Sequence, residues 1–248
     1  MVPELEAVNV SAGYGPVQVL HDVSIAAVAG RVHVLLGSNG AGKTTALMTL
    51  AGLVRRTSGK VLRRGVPATG PLHKRVRGGV RFVTEQRAIF GSLTTAENLR
   101  VGGRSSVREA LELFPELEPL LKRPARLLSG GEQQMLVLAR ALAARPDVLL
   151  ADELSLGLAP LVVERLLSAV RTAATEQGVA VLLVEQHLRA ALRVADYGYV
   201  VQRGRVMIED SAYALVDRMS EIEDAYLSGI APGNDRSAGL DAASGGRR

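Results

Sequence analysis

The sequence predicts an α/β protein in which a parallel sheet is buried on both faces and preceded by antiparallel strands. Three observations predict it. Four short apolar runs, Val32–Leu36, Val80–Val83, Val148–Ala151 and Val179–Val184, are separated by helical stretches, the pattern required when helices cover both faces of a sheet. The first run feeds a glycine-rich turn that opens a helix. The residues before Arg31 alternate instead: Leu5, Ala7, Val8 and Val10, then Val17, Val19 and Leu20, then Val23 to Val28. Turn signals at Ala12–Pro16 and Ala29-Gly30 punctuate them, as they do exposed-edge strands.

Helices are expected at about 42–53, 107–114, 131–144, 160–176 and 187–195. Residues 91–127 contain no strand-like run and read as a small helical subdomain, set into a core formed by 1–90 and 128–230. Residues 231–248 carry one Leu among small and polar residues, too little apolar surface to offset ordering, and a disordered tail is expected.

Composition narrows the function. With 248 residues, 47% hydrophobic and 22% charged, the chain can bury one sizeable core or two small ones. No apolar run approaches the roughly 18 residues of a membrane helix. The N-terminus lacks the basic start and apolar stretch of a signal peptide, so a cytoplasmic location is expected. The absence of cysteine excludes a disulfide framework, a thiolate metal site and a cysteine nucleophile. The net charge of +5 is local: ten Lys and Arg face one acid between Arg55 and Arg87, which leaves −4 elsewhere. That segment reads as a solvated charged face. Aromatics at 3% and no Trp leave little to stack bases on, and no nucleic-acid partner is expected.

Gly37-Ser38-Asn39-Gly40-Ala41-Gly42-Lys43-Thr44-Thr45 fits G-x-x-x-x-G-K-[ST] between a strand and a helix, where the motif has meaning. Glycines let backbone N–H groups curl around phosphate, and the helix N-terminus adds about half a positive charge at that point. Lys43 can reach the β- and γ-phosphates, and the Thr44 hydroxyl can ligate Mg²⁺. A nucleotide site follows. The run Val148–Ala151 then ends in Asp152 and Glu153. A buried parallel strand delivers its C-terminal residues to the ligand edge of the sheet. There Asp152 can hold Mg²⁺ through water, and Glu153 can polarise the attacking water. Adjacent acids beside a triphosphate need a metal to offset their repulsion.

Leu128-Ser129-Gly130-Gly131-Glu132-Gln133 opens the next helix. Ser129 and Glu132 make a capping box, but a capping box needs no glycines, each costing helix about 1 kcal/mol relative to Ala. Gly130 and Gly131 suit a backbone that approaches a bulky anion. One nucleotide does not need two such cradles, so this one serves a nucleotide held by a second copy.

On these motifs the chain resembles the ATP-binding cassette (ABC) ATPases over about residues 4–230. The resemblance implies a P-loop NTPase (RecA-like) core with an antiparallel β-subdomain and a small helical subdomain that carries the signature 128–133. It also implies a head-to-tail dimer with a second cassette, identical or different, each ATP lying between one phosphate loop and the other chain's signature. By position, Tyr14 matches the aromatic that stacks on adenine, and His187 matches the switch histidine at the γ-phosphate. His33 is expected as a hydrogen-bonded core residue. Glu85 stands where most cassettes have a Mg²⁺-sensing Gln, with Gln86 next to it. Leu154 and Ala159 replace a usual Pro and Asp. The runs Glu85–Leu99, Leu113–Leu117, Gly130–Leu136, Ser155–Pro160 and Val184–Gln186 are similar to the second ATPase subunit of branched-chain amino-acid importers. That subgroup often has Asn at the position of His187.

The resemblance implies an ATPase with ATP and Mg²⁺ as cofactors, peripheral on the inner face of the cell membrane. Its partners would be integral membrane permease subunits and an extracytoplasmic solute-binding protein. Urea or amides as solute, export in place of import, and a non-transport ABC ATPase are the alternatives. The repair ATPases insert a long coiled coil between their halves and the translation factors fuse two cassettes; this chain has neither. A P-loop kinase or GTPase would leave residues 128–134 without a role.

Overall fold

The computed structural model describes residues 2–101, 107–220 and 222–223. Alternating apolar residues at the start form a hairpin of β1 (Leu5–Tyr14) and β2 (Val17–Ala27). The two runs read as separate strands over 17–28 are therefore one. A register shift falls beside Asp22, whose φ of 52° is left-handed, the geometry of a bulge. Strand β3 (Val32–Leu36) is buried at every position and passes through the glycine-rich turn into α1 (Lys43–Ala51). Then β4 (Arg56–Arg63) and β5 (Val66–Pro67) join the hairpin in an antiparallel sheet of order β2-β1-β4-β5.

Next, α2 (Leu72–Arg77) leads into β6 (Val80–Val83). Residues 91–127 supply α3 (Thr95–Arg100), α4 (Val107–Leu113) and two 3-10 turns at 115–120 and 125–127. Beyond them come α5 (Gly130–Leu142), β7 (Val148–Asp152), α6 (Pro160–Gln177) and β8 (Ala180–Val184). The described chain closes with α7 (Leu188–Val194), β9 (Tyr197–Gln202), β10 (Arg205–Ser211) and α8 (Ala212–Asp217). The expected tail at 231–248 lies outside the described residues.

The second sheet has the order β10-β9-β3-β8-β7-β6 and is parallel except for β10. Strands β7 and β8, like β3, are buried at every residue, as a sheet covered on both faces demands. Leu99, Ala110, Phe114 and Leu117 of the helical insertion share one apolar cluster with Leu136 of α5 and Leu149 of β7. The insertion is thus seated on the core through α5. Among the described residues no helix is long and apolar enough to cross a membrane.

Strands β4, β9 and β10 escape the sequence pattern for physical reasons. Only Val61 of β4 is buried, so its pairing comes from the partner strand and not from its own composition. Gly198 is the second residue of β9. A Cβ there would stand 2.5 Å from Leu215 Cδ1 of α8 and 3.2 Å from Val34 Cγ1. His33 is buried in the core against the Tyr197 and Tyr199 rings. Its Nδ1 has no partner among the described residues, and burial pushes the imidazole down to about 4.

The basic segment is not simply a solvated face. Arg63 pairs with Asp147, and Arg64 with Glu4 at 2.7 Å. Arg75 is buried and donates to the carbonyls of Leu50, Ala68 (3.2 Å) and Gly70 (3.3 Å). Burial, and then Arg56, hold its guanidinium below the usual arginine range. Arg75 also donates to Thr49 O at 3.4 Å and closes the C-terminal end of α1, so Arg75→Met leaves four carbonyls without that donor. Urea unfolding should show a loss of about 3 kcal/mol for this variant; a loss below about 0.5 kcal/mol would mean that solvent replaces the guanidinium freely.

Candidate functional site

The site is built where β3, β6, β7 and β8 end on one edge of the parallel sheet. The turn Gly37–Gly42 curls around the Lys43 ammonium, which donates to Gly37 O at 2.8 Å and Ser38 O at 3.0 Å. Gly42 takes φ 105° immediately before α1, a conformation that a side chain rarely adopts. The loop is pinned from outside by Gly204 N–H donating to Ala41 O at 2.8 Å. Burial lowers the Lys43 ammonium, while Glu153 and Asp152 draw it back up.

Helix α1 packs across β7 and β8, which carries Thr44 over to the end of β7. There Thr44 Oγ1 donates to Asp152 Oδ1 at 3.2 Å. Asp152 is 3% exposed, and its carboxyl is pushed up to about 6. Burial is the largest cause; Glu153 and Glu85 add to it, and Thr44 and Lys43 oppose it. A buried carboxylate facing two others is a poor resting state without a cation, and hydroxyl plus carboxylate oxygen is the hard-donor set that Mg²⁺ takes. Among the described residues no cluster of three His, Cys, Asp or Glu could chelate a metal unaided, so oxygens from water or a ligand would complete any such sphere.

Glu153 leaves the strand in the left-handed region, with φ 48°. Its N–H donates to Val184 O at 2.9 Å, which locks β7 to β8 as the chain turns. A non-glycine residue held there costs about 1–3 kcal/mol and marks sites where direction matters. The turn sends Glu153 into an open cleft of about 610 Å³ that is also lined by Asn39, Gly40, Lys43, Thr44, Thr45, Glu85 and Gln186. Of the adjacent pair Glu85 and Gln86, only Glu85 lines this cleft.

His187 is not brought to it. The chain leaves β8 with Glu185 turned inward, Gln186 facing the phosphate loop and His187 starting α7. His187 instead lines a neighbouring groove of about 740 Å³ with Leu158, Val163 and Leu188. Gln186 lines both the phosphate cleft and this groove. Glu185 was missed altogether. It is 1% exposed and accepts from Ser155 N–H at 3.2 Å and from the Ser155 hydroxyl. Burial raises its carboxyl, against the two Ser155 hydrogen bonds. Tyr14 does not line the cleft. It sits half exposed at the end of β1 beside α1, its hydroxyl 3.5 Å from Met48 Sδ.

The signature residues lie apart from this chain's phosphate loop: none of Leu128 to Gln133 lines the cleft. Ser129 caps α5 in the expected capping box, with its N–H donating to Glu132 Oε2 at 2.6 Å and Glu132 N–H to Ser129 Oγ at 3.3 Å. Gln133 donates to Leu128 O at 3.1 Å. The glycines have an internal reason to be small. A Cβ on Gly130 would stand 3.0 Å from Arg87 Nη1, and one on Gly131 3.1 Å from Val162 Cγ1.

A phosphate loop at the head of a helix, beside a buried acidic strand end, defines a P-loop nucleotide-hydrolysing site. The ABC transporter family model matches residues 20–155. The chain is 41% identical over 230 residues to the high-affinity branched-chain amino acid transport ATP-binding protein BraG of Pseudomonas aeruginosa, covering 89% of this chain and 98% of that one. Among solved structures it is similar to MJ1267, an ATP-binding cassette of an ABC transporter, with TM-score 0.81 and 22% identity over 92% of this chain and 99% of that one. It is also similar to the dimeric structure of MJ0796, a bacterial ABC transporter cassette, with TM-score 0.73 and 26% identity over 84% and 98%. The chain belongs to the ATP-binding cassette family and is one of its ATPases.

Asp152 carries a measurable consequence. Its folded carboxyl titrates at about 6 against an ordinary 3.8, so the ionised group opposes folding above pH 6 and the penalty fades as pH falls toward 3.8. Asp152→Asn should therefore stabilise the nucleotide-free protein, by on the order of 2 kcal/mol at pH 7.5 and by almost nothing at pH 4. Urea unfolding at both pH values measures it, and an equal gain at both would remove the charge explanation.

Proposed function

We propose that this chain is the ATP-hydrolysing subunit of an importer for branched-chain or related amino acids. It works as one of two cassettes docked by permease subunits on the inner face of the membrane. A solute-binding protein supplies the same system from outside. The observation that carries the two-cassette reading is the separation just described: the acidic phosphate cleft and the signature helix belong to one chain but not to one pocket. The similar dimeric structure supports it, and the near full-length match to a branched-chain amino acid transport protein supports the solute class.

In this reading the loop Gly37–Gly42 and Lys43 hold the β- and γ-phosphates, and Tyr14 stacks on the adenine. Thr44 and Asp152 would hold Mg²⁺, with Glu85 across from them; bound there, the metal would supply charge neutralisation to the phosphates. Glu153 takes a proton from water as its oxygen forms a bond to the γ-phosphorus. The bond to the bridging oxygen breaks, and ADP leaves with that electron pair. Gln186, an amide, can donate to a γ-phosphate oxygen without changing charge. Ser129 and the first N–H groups of α5 meet the same phosphate from the other cassette.

Two outcomes test the assignment. Glu153→Gln should bind ATP, lose hydrolysis by roughly 10²–10⁴-fold and accumulate an ATP-bound dimer visible by sedimentation; near-normal turnover removes Glu153 as the base. Gln186→Ala should lower kcat by about 10–10²-fold, the size of losing one donor to developing charge, and His187→Ala by less than about twofold. The reverse order would return the switch role to His187.

A further inference from the structure

A buried carboxylate that touches no substrate stands directly behind the site. Glu185 is 1% exposed and Ser155 is 3% exposed. Burying an ionisable group this completely is costly unless hydrogen bonds satisfy it, and an apolar side chain would fill the same space without that cost. Two donors of one residue do satisfy it: the Ser155 N–H at 3.2 Å and the Ser155 hydroxyl. The contact joins segments 30 residues apart, and each end is adjacent to a group that faces the cleft. Ser155 follows Glu153 by two residues. Glu185 precedes Gln186 by one.

Leu154, 1% exposed in the apolar core, anchors the start of the segment after Glu153, and beyond Ser155 the ties weaken. Its own backbone bonds are long: Leu156 N–H to Glu153 O at 3.4 Å and Leu158 N–H to Ser155 O at 3.2 Å. Gly157 takes φ 69°, Leu156 is 44% exposed, and Leu161 just beyond is 80% exposed. Leu156 lines the phosphate cleft and Leu158 the neighbouring groove. Glu153 itself is in a left-handed conformation that must be over-determined by its surroundings to persist. On the β7–β8 side, Glu153 N–H to Val184 O does this; one turn further, the Ser155–Glu185 pair repeats the same cross-tie through side chains.

We propose that Glu185 and Ser155 form a positioning clamp that sets the Glu153 carboxylate and the Gln186 amide against each other across the γ-phosphate. Neither residue reaches the nucleotide. The clamp converts two independent loops into one rigid unit, so that any movement of the exposed 156–161 segment against a second cassette reaches Gln186 as well as Glu153. The inference rests on the assignment of Glu153 as the base.

The test uses the full-length chain and compares ATP turnover with nucleotide affinity, read by displacement of a fluorescent ATP analogue. Ser155→Ala and Glu185→Leu should each lower kcat by about 10–10²-fold, the scale of an ångström of misplacement, with affinity changed by less than about twofold. The double variant should be no worse than the worse single, because both remove the same contact. Glu185→Gln, which keeps the volume and an acceptor for Ser155 N–H, should recover part of the loss and covers the case in which Glu185→Leu does not fold. In a Glu153→Gln background Ser155→Ala should lower the residual rate by less than it lowers that of the parent, because only the Gln186 half of the clamp is left to lose. Wild-type kcat in Ser155→Ala, or affinity falling in step with kcat, overturns the clamp. A Glu153→Gln protein as active as the parent sinks the underlying assignment instead, and the clamp with it.

Discussion

The contact between Thr44 and Asp152 is the constraint around which the cleft is organised. It joins the first turn of α1 to the end of a strand two places away in the sheet, and it can form only because α1 lies across β8 and β7. The apolar burial of β3, β7 and β8 fixes that crossing. The result is a hydroxyl and a carboxylate, both hard donors, held together in a place from which water is largely removed. Burial and two further acids push Asp152 up to about 6. A cation beside Asp152 would relieve that charge.

Around this contact the catalytic groups depend on how strands end. A strand alternates its side chains, and Glu153 would point away from the cleft if β7 continued. The left-handed turn at φ 48° redirects it, and the hydrogen bond to Val184 O keeps it there. On β8 the same problem is solved by turning Glu185 inward, which leaves Gln186 facing the phosphate loop.

The signature shows how one local sequence answers two demands. Ser129 and Glu132 cap α5 as any helix would be capped. Gly130 and Gly131 are pressed by Arg87 from the segment after β6 and by Val162 from α6. The bare first turn that a second nucleotide would need thus also sits closely against the chain's own side chains. The helical insertion is carried on the same helix, since Leu99, Phe114 and Leu117 pack with Leu136. A push on the insertion is a push on α5.

Local sequence was enough for the phosphate loop, the acidic strand end, the capping box and the doubly buried strands, because each is specified by neighbouring residues or by a run of one polarity. It was also enough for the class of chemistry. Tertiary structure decided the rest. Strand β4 is a strand because β1 offers it partners, and Gly198 is a strand residue because α8 needs the space. Arg75 is a structural cation because carbonyls converge on it from α1 and from 68–70. That Gln186 and not His187 lines the phosphate-loop cleft goes with the inward turn of Glu185, whose partner Ser155 lies 30 residues earlier. Spacing along the chain records which side chains are available; only long-range packing determines which way they point.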